Sequence, residues 1–384
     1  MIKNKAMREL WVCTLLSFHL FTDKGNGQNA LRAKYREWLE DDDRVEVRSW
    51  YAETEMALQE GWSIEFLGTI DSWSGATPNG LPPEKSKASD PNEWLNIVSE
   101  EVRKAGLFTC SKNTENYSLS FEYGISDEPD YFSRSYALQY AHKLAADTLI
   151  INSGFSLQDD SVKNINGDFV GKNNPTLSLG IQRVLDKFTS IAFNLSYSFP
   201  SGYLSDPYKR IPVDMSPVPI INLEPENRPD EREIFVFYSE ISRYLDWIKA
   251  GVHMRYRYFE DNHDLSGHTL EFEGIKKWGD HWAYSTSYRF YCQKQAFFYN
   301  PQVQKFETYM ISPNPTTGPY YSADHRLSSF ESQTVSLKLS YFLQDDMIID
   351  AGFDRYFTQG KDGVTDQKVY PDANVFTLGF QWQY

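Results

Sequence analysis

The last eleven residues, 374–384, read Asn-Val-Phe-Thr-Leu-Gly-Phe-Gln-Trp-Gln-Tyr, alternating apolar with small or polar side chains. Successive side chains of an extended chain point to opposite faces, so Phe376, Leu378, Phe380, Trp382 and Tyr384 share one face. Thr377, Gly379, Gln381 and Gln383 share the other. Alternate bulky aromatics at the end of a strand suit the aromatic girdle of an outer-membrane barrel. A strand of a water-soluble sandwich shows the same alternation, and the remaining residues must decide between the two.

Composition removes several classes. The 384 residues contain no apolar run of eighteen or more beyond the first two dozen positions, so no transmembrane helix is predicted there. With 16% aromatic residues the chain is too rich in large apolar groups for disorder. A mean hydropathy of −0.55 is compatible with a membrane barrel, because half of every strand faces a wet lumen and the loops are polar. The net charge of −15 argues against nucleic acid, whose phosphates require clustered positive charge.

The amino terminus reads as an export signal over residues 1–29. Lys3, Lys5 and Arg8 precede an apolar stretch over 10–21, and Gly25, Gly27 and Ala30 offer small cleavage positions. A buried first helix is the alternative. Cys13 lacks the small residue expected before a lipoprotein cysteine, so no lipid anchor is predicted. Cys110 and Cys292 lie far apart in strand-like segments and read as isolated thiols unless folding brings them together.

Strand-length alternating segments fill residues 30–384. The clearest are 117–124, 135–144, 148–157, 176–185, 190–199, 234–245, 247–259, 267–278, 281–293, 333–343, 347–357 and 374–384; weaker ones cover 30–39, 44–53, 62–73 and 101–111. Sixteen is an even count, as bacterial barrels require, and most segments have the ten or so residues of a tilted spanning strand. Tight turns at 145–147, 186–187, 246, 279–280 and 344–346 alternate with longer connections at 74–100, 159–175, 200–233, 294–332 and 358–373. A sandwich has no reason to segregate connection lengths in this way. The predicted fold is therefore all-β, a transmembrane antiparallel barrel of about sixteen strands in the bacterial outer membrane, with short periplasmic turns and long extracellular loops.

Alternation also assigns faces. Placing Met254, Tyr256 and Tyr258 in lipid turns Lys249, His253, Arg255 and Arg257 inward; the same phase turns Glu122, Glu271, Glu273, Arg289, Lys338, Asp350 and Asp354 inward. A lipid-facing Arg or Lys at the midplane costs about 2–4 kcal/mol, which sets the choice of face. The lumen then carries both signs of charge. Opposed charges could select solutes by a transverse field; paired charges would fill and rigidify the barrel.

Five segments carry a family resemblance: Asp71 to Pro78 (DSWSGATP), 202–209 (GYLSDPYK), 228–232 (RPDER), 268–271 (HTLE) and 320–330 (YYSADHRLSSF). Together and in this order they resemble an uncharacterised bacterial family of outer-membrane barrels catalogued as a domain of unknown function. The resemblance covers roughly residues 30–384 and implies architecture and location, with no agreed activity. Relatives are often encoded near a flavin-attaching enzyme and thioredoxin-like proteins, which implies extracytoplasmic redox proteins as partners.

These segments fall on predicted loops or strand ends. Asp206, Tyr208, Asp324 and Arg326 are candidates for a constriction above Arg255 and Arg257; the alternative is that Asp206, Arg232 and Arg326 brace the loops. No GxSxG motif, zinc-type cysteine pattern, phosphate loop or dinucleotide fingerprint occurs, so neither an enzyme nor a cofactor is expected. A barrel-embedded hydrolase using His253, His268 or His281, and a cation site over residues 260–264 with His268, are the minor alternatives. Three functions follow from these features: a porin-like channel or sleeve for a redox partner, a plugged structural or assembly barrel whose loops bind partners, and an outer-membrane hydrolase. Lipid and the barrel assembly machinery, to which Phe376, Phe380, Trp382 and Tyr384 would be presented, are the expected partners.

Overall fold

The computed structural model describes residues 29–81, 94–217, 221–305 and 313–384. The predicted signal over 1–29 lies, except for Asn29, outside the described residues. Twenty strands occur among the described residues. The first nine are β1 (Ala30–Glu40), β2 (Val45–Ala57), β3 (Trp62–Pro78), β4 (Leu95–Asn113), β5 (Tyr117–Glu128), β6 (Tyr131–Leu144), β7 (Leu149–Lys163), β8 (Phe169–Asp186) and β9 (Thr189–Ser198). Three short strands follow in one connection: β10 (Ser201–Gly202), β11 (Arg210–Asp214) and β12 (Ile221–Pro225). Then come β13 (Ile234–Leu245), β14 (Ala250–Asp261), β15 (Ser266–Trp278), β16 (Trp282–Lys294), the short β17 (Gln304–Lys305), β18 (Phe330–Gln344), β19 (Met347–Gly360) and β20 (Ala373–Gln383).

Sixteen of these are staves of one closed antiparallel barrel, β1–β9, β13–β16 and β18–β20, each paired with its neighbour in sequence. Closure comes from β1 against β20, in register from Ala30 opposite Gln383 to Glu40 opposite Ala373. Every stave therefore has two partners, and no edge of unpaired N–H and C=O groups is left.

All sixteen predicted segments are staves, and most extend further at one end than alternation indicated. The predicted connection 159–175 shrinks to 164–168, because β7 and β8 stay paired from Lys163 opposite Phe169 downward. Here the outward positions turn polar or small, at Ser161, Gly171 and Asn173, while Val162 and Val170 face inward, so the hydrophobic period is lost while the hydrogen-bond ladder continues. In the same way β3 and β4 run on to Pro78 and Leu95, across a register shift between Trp73 and Gly75. At one end of the barrel the seven connections are at most four residues long; at the other, the staves are separated in sequence by as much as the spans 79–94, 199–233, 295–329 and 361–372.

Side chains sort as period two requires. Leu378 is 58% exposed on the outer face, in a belt with Phe272, Leu179, Leu337 and Phe66. Trp247, Trp278, Trp282 and Tyr384 lie exposed at the short-turn end. Outward charges such as the Glu37–Arg48 pair mark the opposite border of the belt. A continuous apolar belt bounded by aromatics and charges is a lipid-facing surface. Cys110 and Cys292 are unpaired thiols on β4 and β16. Leu378→Arg is expected to destabilise the barrel in liposomes by about 2–4 kcal/mol if the site lies near the midplane. Thr377→Asn, on the adjacent inward position, should change it little. Equal urea midpoints for the two variants would contradict the assigned faces.

Candidate functional site: the roofed mouth and the lumen beneath it

The loops at the long end form a roof. Counted round the ring, β3 is the third stave, and the loop 199–233 leaves from the ninth, β9, and returns to the tenth, β13. Yet this loop bonds to the end of β3 and to β4. The Lys209 ammonium donates to the Pro78 carbonyl (2.5 Å), the Arg210 N–H to Asn79 O (2.8 Å), and the Asn96 amide to Tyr208 O (3.0 Å). A segment anchored six staves from its root in a sixteen-stave ring crosses the mouth. Gly80 permits the contact: it adopts φ +114°, and a Cβ there would lie 1.9 Å from Arg210 O. The strands β12, β11 and β17 form a small sheet within the roof, with Ile211 and Val213 fully buried in it. The loops 295–329 and 361–372 join through Ser328 Oγ and Tyr370 Oη (2.6 Å) and Tyr299 Oη and Thr365 Oγ1 (2.6 Å).

A buried ionic cluster locks the roof. Arg326 bonds Asp206 (2.5 Å) and Asp324 (2.5 Å); Arg228 bonds Asp324 (2.8 Å) and Glu226 (2.6 Å). Ser322 Oγ donates to Glu226 (2.6 Å), and the Asp206 N–H donates to the same carboxylate (2.5 Å). With Lys209 the cluster holds three carboxylates and three cations. Burial acts to raise the Asp324 carboxyl, but Arg326, Lys209 and Arg228 hold it well below the ordinary carboxylate range. Burial, reinforced by Asp206 and Asp324, raises Glu226 against the pull of Arg228. Burial, with Lys209 adding to it, lowers the His325 imidazole well below its ordinary value. Breaking such a buried pair strands the partner charge, at a cost of about 3–5 kcal/mol.

The lumen below is charged on one side and small on the other. On β13–β15, Arg255 bonds Glu271 (2.6 Å) and Glu273 (2.8 Å) and approaches Glu240 (3.6 Å). Arg289 stands opposite Glu271 in the next stave. Lys338 meets Asp350 at 3.3 Å, Asp354 faces Ser336 and Val375, and Asp71 pairs with Arg103 (2.6 Å). Across β5–β9 the inward positions are mostly small, with Glu122 set among Ser120, Gly154, Ser156, Ser178, Gly180 and Ser196. These lumen ion pairs join neighbouring staves and run along the wall.

His253 hydrogen-bonds Ser242 (2.9 Å) and Glu240 (3.1 Å), both through Nδ1. A serine nucleophile and its orienting acid need opposite ring nitrogens, so this contact positions the imidazole without forming a relay. The residues proposed for a cation are directed apart. Asp261 bonds Arg232 (2.6 Å), Glu260 accepts from Tyr258 (2.6 Å), and His268 contacts Tyr256 (2.8 Å) on the outer face.

Several positions differ from the sequence reading. Lys249 is not on the lumen wall; β14 begins at Ala250, and Lys249 sits exposed in the turn 246–249 with φ +55°. The alternation was carried three residues too far, across a turn whose Trp and Ile imitate a strand. Asp206 and Arg326 do meet, and Arg257 lies beneath them beside the same cavity. Tyr208 contributes backbone contacts at the crossing. Glu240 was missed although its period-two position in β13 marks it as inward; Lys209, Glu226 and Arg228 were missed because no local pattern signals long-range ion pairs.

A closed sixteen-stave barrel with an apolar belt and a polar lumen is an outer-membrane β-barrel fold. The structure is similar to a "Bacterial polysaccharide outer membrane secretin" (TM-score 0.52, 9% identity, covering 93% of this chain and 98% of that one). It is similar also to CdiB from Acinetobacter baumannii (TM-score 0.52, 8% identity, covering 93% of this chain), of whose length it spans 60%. At such identities the likeness is one of fold. No curated protein matches. The chain belongs to the family described as "Protein of unknown function (DUF3570)", which it matches over residues 17–173 and 169–384.

Arg326→Ala is expected to weaken the roof by about 3–5 kcal/mol, read as faster amide exchange across the described residues of 199–233 while the staves stay protected; unchanged exchange contradicts the bracing role. The roof should also loosen on acidification. His325 stays neutral when folded, so as pH falls through about 6.5 the unfolded segment binds the extra proton and stability is lost. The groups acting on it are Lys209, Asp324, Arg326 and Arg44. Glu226, with its raised value, acts in the opposite sense. In a Glu226→Gln background, His325→Gln should flatten the slope between about pH 7 and 5; an unaltered slope removes His325 from this role.

Proposed function

We propose that the protein is a conduit for small polar solutes in the bacterial outer membrane, closed at its extracellular mouth by the roof in the conformation described. The supporting observation is a roof that crosses the mouth above a lumen whose polar groups retain contact with solvent. The Lys338 side chain is 51% exposed and that of Glu271 27%, although both point into the barrel. The small residues of β5–β9 leave their side of the lumen lined with hydroxyls and backbone. Paired wall charges favour general polar passage over selection by a transverse field. A roof spanning the mouth also favours small solutes over a protein-sized occupant, and so over a sleeve for a redox partner. The short-turn end, with Tyr384 and Trp382, is assigned to the periplasm and to recognition by the barrel assembly machinery.

The buried ionic cluster supports a second reading, a permanently sealed barrel whose roof docks a partner. Planar-bilayer recording separates the two. The native barrel is expected to be silent or nearly so, and a variant lacking residues 322–329 to show stable unitary steps. A roof-deleted barrel that folds but stays silent favours the sealed reading.

A further inference from the structure

Between the roof and the wall lies a cavity of about 100 Å³ that the barrel architecture alone does not require. A cavity needs about 10–15 Å³ of such volume to admit a first water, so this one has room for more than one water or for a small organic molecule. Four arginines line it: Arg228 and Arg326 from the roof, each also bonded to roof carboxylates, Arg232 from the end of the loop 199–233, paired with Asp261, and Arg257 from stave β14. Only two carboxylates, Asp261 and Asp324, share the lining. Asp206 and Glu226, which balance the roof arginines, do not line the cavity. The lining of this half-open space therefore carries more positive than negative charge, beside buried groups where electrostatic attraction is strengthened. Gln293 and Tyr291 add polar atoms, and Leu204, Phe259 and Phe298 add an apolar side.

We propose that this cavity is a binding site for a short-chain organic carboxylate, seated with its carboxylate toward the arginines and its carbon chain against the apolar side. Guanidinium groups match a carboxylate through two parallel N–H donors, a geometry that an ammonium does not reproduce. Arg257 is the residue best placed to link the site to transport, since it belongs to the lumen wall while Arg326 belongs to the roof. A bound carboxylate between them joins the two by charge.

This proposal deepens the conduit reading by naming a solute class, but its test is independent of conduction. Detergent-folded protein is titrated calorimetrically with acetate, propionate and succinate, and with chloride, at constant ionic strength. Saturable carboxylate binding is expected, weakened about tenfold by Arg257→Lys, the loss expected for one charge-assisted hydrogen bond. Chloride, which has no use for a planar fork, should be affected less. Folding is verified by the heat-dependent shift in electrophoretic mobility; if Arg257→Lys fails that check, Arg257→Gln, expected to weaken carboxylate binding at least as much in the same assay, replaces it. Absence of saturable binding to native protein, or native affinity in the folded variant, overturns the site. Saturable binding to the native protein, together with a roof-deleted barrel that never conducts, would retain a carboxylate site and reject the conduit, whereas conduction by the roof-deleted barrel without saturable binding to the native protein would reject the site alone.

Discussion

Everything in this molecule depends on the pairing of β1 with β20. Inside a bilayer an unpaired backbone N–H or C=O has no water to turn to, and each costs several kcal/mol, so a spanning sheet must close on itself. The register from Ala30–Gln383 to Glu40–Ala373 supplies that closure along the whole of the first stave. Once the ring is closed, period two leaves each side chain one of two environments. The outer set becomes the apolar belt of Leu378 and Phe272, and the inner set the ionic wall of Arg255 and Glu271.

The roof is a second solution to the same difficulty of burying polar groups. Long loops over a barrel mouth carry many backbone dipoles and few apolar side chains, so they cannot pack by hydrophobic burial alone. Here the small sheet of β11, β12 and β17 and the ring of Asp206, Arg326, Asp324, Arg228 and Glu226 provide the pairing. Buried ion pairs contribute little net stability compared with apolar packing, but they fix one geometry, because every alternative strands a charge. The result is a crossing of the mouth that depends on a few specific bonds, and in the proposed conduit acting on those few groups would open it.

Much of this was legible in the sequence, and the reasons are physical. Alternation reports which face a residue takes, so the staves and the inward placement of Arg255, Glu271, Arg289 and Lys338 followed from period two alone. Alternation fails where its cause fails. Beyond the lipid zone the outward positions turn polar or small, which hid the ends of β7 and β8, and in the turn at 246–249 a chance Trp-Ile-Lys sequence made Lys249 look like a lumen residue. The roof was visible only as loop segments carrying a family resemblance. That Asp206 meets Arg326, 120 positions away, depends on how the chain crosses the mouth, which no local pattern encodes. The choice between open and covered lumen was beyond sequence reasoning for the same reason.

The central claim is that a hydrated lumen lies beneath a closed roof. It is tested most directly by the reactivity of a single cysteine placed at Lys338 in a Cys13→Ser, Cys110→Ser, Cys292→Ser background. A membrane-impermeant thiol reagent, added from the extracellular side of intact outer membranes, should modify Lys338→Cys slowly under the native roof and quickly once residues 322–329 are removed. Equal rates with and without the roof, fast or slow, would contradict it.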